Sequence, residues 1–313
     1  MRRALWLFAA LVLAAALFLF FHRSGPPGQM VDVGGFRLHL VCEGEGSPAV
    51  ILEAGAADAW LTWHEIQPEL ARVTRVCSYD RAGIGYSDPG PRPRSRRRAV
   101  EELRTLLARA GVPPPYVLVG HSFGGSSARL YALLHPDEVA GLVLVESSHE
   151  DHWVRAPRDF WQRHLDQLKE ERLDAEKAER GEPMPAILAV PGLSWRERRR
   201  LRAVARRPAW YRASFDESLI ADASRAEFAG LPRMLDVPLV VLSAGRRVRP
   251  EWRSPELHER WVRIAGELQA DLASRSPRSR HVVVPDAGHS LHWDRPDVVV
   301  REVRELVRKA RGF

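Results

Sequence analysis

The sequence predicts an α/β domain in which a mostly parallel central sheet is flanked by helices and interrupted late by a helical insertion. Three observations carry this. The runs "PAVILEAG", "PPYVLVG", "VAGLVLVE" and "VPLVVLSAG" have strand length and almost no polar alternation, as strands covered on both faces do. Amphipathic stretches of helical period separate them, and parallel neighbours require such crossovers. Residues 151–235 then lose the strand signal and carry charged helical sequence such as "DFWQRHLDQLKEERLDAEKAER". Their apolar heptads do not persist, so a coiled coil is disfavoured and an insertion over one end of the sheet is preferred.

Taken in order, the elements begin with Arg2 and Arg3 followed by eighteen apolar residues, Ala4 to Phe21. That length suffices to span a hydrocarbon core, and no small-x-small cleavage site follows "LFLFF". Residues 1–23 are therefore read as an uncleaved signal anchor in the lipid bilayer, with a cleaved signal and secretion as the alternative. The body then lies outside the cytoplasm. Residues 24–30, containing "SGPPGQ", form a linker. The α/β core is assigned to 31–150 and 236–313, and the insertion to 151–235. Within the core, "MVDVGG" and "FRLHLVCEG" suggest a hairpin, a helix is expected around 62–72, and "RVCSYDR" returns to strand. "RRRAVEELRTLLARAG" reads as a helix stopped by Gly111, and "FGGSSARLYALLH" as a helix stopped before Pro136. After the insertion come a strand at "VPLVVLSAG", a helix within 253–273, the strand "HVVVPD" and a final helix from near Pro296.

The 313 residues, 45% of them hydrophobic, can fill a substantial core. The net charge of +7 is mostly arginine, but acids are interspersed and no nucleic-acid module accompanies the basic runs, which argues against DNA or RNA as a partner. No obligate protein partner is predicted. Cys42 and Cys77 are the only cysteines, each in an apolar strand; a disulfide and two inert thiols are both compatible with the sequence. They make no metal-ligand spacing.

Chemistry concentrates at "VLVGHSFGG", residues 117–125. Gly120-His121-Ser122-Phe123-Gly124 matches G-x-S-x-G between a predicted strand and helix, where small residues permit a sharp turn that exposes the serine. A serine hydroxyl needs an imidazole to take its proton. His289, in "VVVPDAGHSLHWDRP", follows the last predicted strand and reaches the same sheet edge as Ser122; His292 is the nearest rival.

With "VILEAGAADAW", "VCSYDRAGIGYSD" and "AGHSLHWDRPDVV", these motifs make the chain resemble the α/β-hydrolase superfamily, in its serine-nucleophile esterase and lipase-like branch. The resemblance covers about 31–311. It implies Ser122 as nucleophile, His289 as general base and acid, and an oxyanion hole from the backbone N–H groups of Phe123 and Ala56, with Ala57 as rival to the latter. It implies no cofactor and no metal. The third member departs from the commonest pattern, because "RRVRPEW" follows "VVLSAG" where an acid is usual. Relatives such as haloalkane dehalogenases take their acid one strand earlier, at the position Glu146 holds here. Glu146 is thus the preferred triad acid, with Glu251, Glu150 and Asp151 as alternatives.

The expected reaction is hydrolysis of a small or medium hydrophobic or lipid ester through an acyl-enzyme. An amidase or iminopeptidase-like activity and a silent binding protein are the alternatives. Trp153, Phe160, Trp161, Trp195, Trp210 and Tyr211 are candidates to line an acyl pocket, although aromatics at helical spacing are more often packing residues.

Overall fold

The computed structural model describes residues 26–186 and 190–312. Strands β1 (Gln29–Asp32) and β2 (Arg37–Glu43) form the expected hairpin; β3 (Ala49–Glu53) follows. The helix expected at 62–72 is broken into a 3₁₀ turn, Trp60–Trp63, and a short α1, Gln67–Ala71. Pro68 explains the break: it lacks an N–H and disfavours helical geometry at the residue before it, so it is tolerated only at the start of a new helix. Next come β4 (Val76–Tyr79), α2 (Arg96–Arg109), β5 (Tyr116–His121), α3 (Phe123–Leu134) and β6 (Val139–Val145).

Among the described residues, five helices lie between β6 and β7: α4 (His152–Arg155), α5 (Arg158–Glu179), α6 (Trp195–Val204), α7 (Pro208–Asp222) and α8 (Ser224–Glu227). The sheet resumes with β7 (Leu239–Ala244), α9 (Pro255–Ala273) and β8 (Ser279–Val284), and the chain ends in α10 (Leu291–Asp294) and α11 (Pro296–Ala310). Among the described residues no helix is long and apolar enough to cross a membrane. The apolar run at 4–21, on which the anchor expectation rests, lies outside the described residues.

The eight strands form one sheet in the order β1-β2-β4-β3-β5-β6-β7-β8. The β1–β2 and β2–β4 pairs are antiparallel and the others parallel. Successive residues of each apolar strand feed opposite cores. Ala49, Ile51, Tyr116, Leu118, Leu142 and Leu144 pack on the α2–α3 side. Val50, Leu52, Val117, Val119, Val143 and Val145 pack on the α1–α11 side. This explains the absence of polar alternation: both faces are covered, so both phases of the strand must be apolar. Truncating a fully buried position such as Leu118 to alanine should cost about 2–5 kcal/mol.

Cys42 and Cys77 face each other across the β2–β4 register and are joined by a disulfide. The sequence left this open, because strand adjacency is decided by topology rather than by separation along the chain.

Candidate active site

The strands β5 and β6 end side by side, and both turns beyond them are strained. Ser122 has φ 50° and ψ −117°, and Glu146 has φ 44°. A side chain in this region is disfavoured and persists only where surrounding structure enforces it. For Ser122 the enforcement is visible. Its N–H donates to the Val145 carbonyl at 3.1 Å, and its own carbonyl accepts from Gly125 at 3.0 Å and Ser148 at 2.9 Å. Two glycines make room. A Cβ on Gly120 would sit 2.4 Å from the Gly124 carbonyl oxygen, and one on Gly124 would sit 2.3 Å from that of Ala54.

Glu146 is buried, and His289 Nδ1 lies 3.5 Å from its Oε2. The other oxygen, Oε1, accepts from the Ala244 N–H at 2.6 Å and from Arg247 at 3.0 Å. Burial alone would raise the Glu146 pKa. The His289 ring, the Arg247 guanidinium and the Ala244 amide outweigh it and hold the carboxyl below its usual range, so it is ionised at neutral pH. The arginine that occupies the stretch where an acid was sought after β7 thus turns back onto the carboxylate of the preceding strand.

His289 itself is largely open, with 61% of its side chain exposed. Its loop is tied to the elbow by the residue preceding the serine: the His121 ring Nε2 is 2.9 Å from the His289 carbonyl. Burial drives the His121 pKa well down, so this ring is neutral and donates that bond from Nε2.

Ser122, Phe123, Ala56, Glu146 and His289 all line one cavity of about 410 Å³. Among the described residues, neither the Phe123 N–H nor the Ala56 N–H has an acceptor. The Ala57 N–H, in contrast, donates to Glu217 Oε2 at 2.7 Å. Of the two alanines, only Ala56 therefore keeps a free amide.

The rivals are engaged elsewhere. His292 is buried against Thr62 Oγ1 at 2.9 Å and is pushed by burial to about 3. Glu150 pairs with Arg129 and Arg275, and Asp151 with Arg225. Glu251 is exposed and does not line the cavity. Asp286 pairs with Arg295, and Asp294 accepts from the Gly288 N–H and Arg246.

The six aromatics divide between the cavity and other surroundings. Of the six aromatics singled out in the insertion, only Trp153 lines the cavity, joined by Trp261 of α9. Trp210 is fully buried and donates to the Ala57 carbonyl at 3.0 Å, Tyr211 packs on Phe215, and Trp195 is exposed. These residues hold helices together or face solvent, as aromatics at helical spacing commonly do.

Sequence reasoning missed a polar clamp on the loop after β3. Glu217, from α7, bonds Arg81 through Nε at 2.5 Å and Nη2 at 3.0 Å. Arg81 in turn donates to the carbonyls of Ala54 at 2.8 Å and Gly55 at 2.6 Å. With Trp210, α7 therefore grips Ala57 by both its N–H and its C=O, and Ala57 is held at φ 59°. Arg81 stood in the quoted "YDRAG" motif, but nothing near Glu217 in sequence marked it. Asp58 was also missed; burial pushes it up to about 6 despite the neighbouring Arg81 charge.

A family model described as the alpha/beta hydrolase fold matches residues 48–230. The chain belongs to the α/β-hydrolase family. It is 33% identical over 124 residues to a 2-hydroxymuconate semialdehyde hydrolase of Pseudomonas sp. CF600, covering 39% of this chain and 44% of that one. It is 24% identical over 301 residues to a Hormonema carpetanum protein named probable transporter efuK, covering 90% of this chain. The chain spans only 42% of that relative's length. Among solved structures, the enol-lactonase of Burkholderia xenovorans superposes with a TM-score of 0.60 at 19% identity, covering 90% of this chain and all of that one, which is a likeness of fold.

Proposed function

We propose that the protein is a serine-dependent carboxylic-ester hydrolase using Ser122, His289 and Glu146. The observation that carries this is the meeting of a strained serine elbow, an open histidine and a buried ionised carboxylate on one cavity wall, with His289 Nδ1 at 3.5 Å from Glu146. In the proposed reaction Ser122 attacks the ester carbonyl as His289 takes its proton. Glu146 holds the imidazole in the tautomer that accepts at Nε2 and stabilises the imidazolium. The N–H groups of Phe123 and Ala56 bind the oxyanion. His289 then protonates the leaving alkoxide and activates water to release the acyl group. Every step uses side chains and amides of this chain.

The cavity volume suits a small or medium ester. We assign residues 151–235 the role of a lid over that cavity, supported by the lining residues that α4, α5, α7 and α8 contribute. We also place the catalytic domain outside the cytoplasm, held at the bilayer by residues 1–23. The Cys42–Cys77 disulfide supports an oxidising compartment.

Hydrolysis of short p-nitrophenyl esters by wild type, Ser122→Ala, Glu146→Gln and Glu251→Gln tests the reading. Activity should vanish in Ser122→Ala, collapse in Glu146→Gln and survive in Glu251→Gln. Retained turnover in Ser122→Ala would remove the serine mechanism; loss confined to Glu251→Gln would move the acid.

A further inference from the structure

Resting on the proposed hydrolase reading, the charge of the cavity wall narrows the substrate class. Three arginines are buried behind the elbow: Arg81, Arg96 and Arg129. Arg81 is matched by Glu217 and Glu53, and Arg129 by Glu150. Arg96 has no carboxylate within ion-pair distance among the described residues, although it is fully buried. Its guanidinium lies 4.6 Å from the centroid of the Phe123 ring, the residue after the nucleophile, and one nitrogen donates to Ser224 Oγ at 3.1 Å. Nε and Nη2 have no partner. The nearby Glu227 carboxylate is engaged by the backbone N–H groups of Arg96 and Arg97 at the start of α2, not by the guanidinium.

A buried guanidinium is ordinarily paired, because desolvating it without compensation is costly. This one forms part of the wall of the cavity that holds Ser122. That wall carries two guanidinium groups, Arg96 and Arg247, against the single carboxylate of Glu146, and Arg247 is already bonded to Glu146. The rest of the polar lining comprises serines, Gln167 and Gln269, and the imidazoles of His149, His152, His164 and His289; it adds no further carboxylate. A neutral hydrophobic ester would leave the Arg96 nitrogens orphaned. Both nitrogens are covered in this structure, so the side chain must turn toward the cavity to meet a ligand; a carboxylate, with two oxygens in the spacing of Nε and Nη2, would then satisfy both.

We propose that Arg96 is a substrate-binding residue and that the esters cleaved carry a carboxylate, seated at the α2–α8 end of the cavity while the scissile carbonyl sits at Ser122. This replaces the expectation of a hydrophobic or lipid ester.

The test compares mono-p-nitrophenyl adipate with methyl p-nitrophenyl adipate, which differ only in whether the distal carboxylate is free or capped. Wild type should favour the free acid in kcat/KM by about tenfold or more, mainly through KM. In Arg96→Met that preference should fall about 10- to 100-fold, and Arg96→Lys should retain part of it. A wild-type preference for the capped ester, or a ratio unmoved in a folded Arg96→Met, overturns the proposal. Binding of monomethyl adipate to Ser122→Ala, followed by calorimetry, separates this claim from the catalytic one. Binding that is lost with Arg96→Met supports the subsite even if neither ester is turned over. Absence of binding, with turnover of the capped ester intact in wild type, removes the subsite and leaves the hydrolase reading standing.

Discussion

Among the described residues three non-glycine positions have positive φ: Ala57, Ser122 and Glu146. All three border the candidate site, but they are held by different means. Ser122 and Glu146 end adjacent parallel strands, and their backbones are fixed by neighbouring strand and elbow groups, Val145, Gly125 and Leu242. Ala57 lies on the loop after β3 and is fixed from above by Glu217 and Trp210 of α7, residues about one hundred and sixty positions later. The floor of the candidate site thus belongs to the sheet, whereas the Ala56–Ala57 loop is held on one side by the inserted helices. Strain held by the sheet survives motion of the insertion; strain at Ala57 does not. Displacing α7 would release both bonds that hold Ala57, next to the Ala56 amide.

Changes to the floor should have the largest effects. Glu146→Gln keeps the shape but removes the charge that sets the His289 tautomer, and kcat should fall about 100- to 10,000-fold in steady-state ester hydrolysis with KM little changed. Glu217→Gln, at the roof, should lower kcat about 10- to 100-fold, the range expected for loosening rather than deleting an oxyanion donor. A shift confined to KM would instead mean that Glu217 serves access alone. Trp210→Phe removes the bond to the Ala57 carbonyl together with part of a fully buried ring, and a loss of about three- to tenfold in kcat is expected, following the worth of one neutral hydrogen bond, alongside a lower melting temperature from the cavity.

A last effect concerns stability rather than rate. Asp58 is pushed up to about 6 by burial, so the folded state binds more protons than the unfolded chain between about pH 4 and 6. Stability therefore falls as pH rises through that window. Asp58→Asn should gain about 1–3 kcal/mol at pH 7.5 and nothing below pH 4. Thermal melts across that range would show the gain, and a gain independent of pH would contradict it. Glu146 has the opposite sign: its lowered pKa stabilises above the usual carboxylate range and that contribution is lost as acid titrates it.

The same contrast explains what the sequence disclosed. Strand ends carry local signatures, so the apolar runs located β3, β5, β6 and β7, and the glycine spacing around Ser122 marked a turn that only small flanking residues permit. Glu146 was legible as an acid at a strand end once no acid followed β7. What remained hidden depended on contacts across the chain. Glu217 lies 160 positions from Ala57, and Arg247 lies 101 from Glu146. No local period or spacing encodes either. The aromatics of the insertion were visible in composition, but which of them faced the cavity was decided by how the inserted helices dock.

The central claim is a nucleophilic Ser122. Incubating the folded protein with a fluorophosphonate and measuring intact mass, followed by peptide mapping, tests it most directly. The account predicts a single adduct on Ser122, absent from Ser122→Ala and from heat-denatured protein. A folded wild-type protein that takes no adduct, or takes it on another residue, would contradict it.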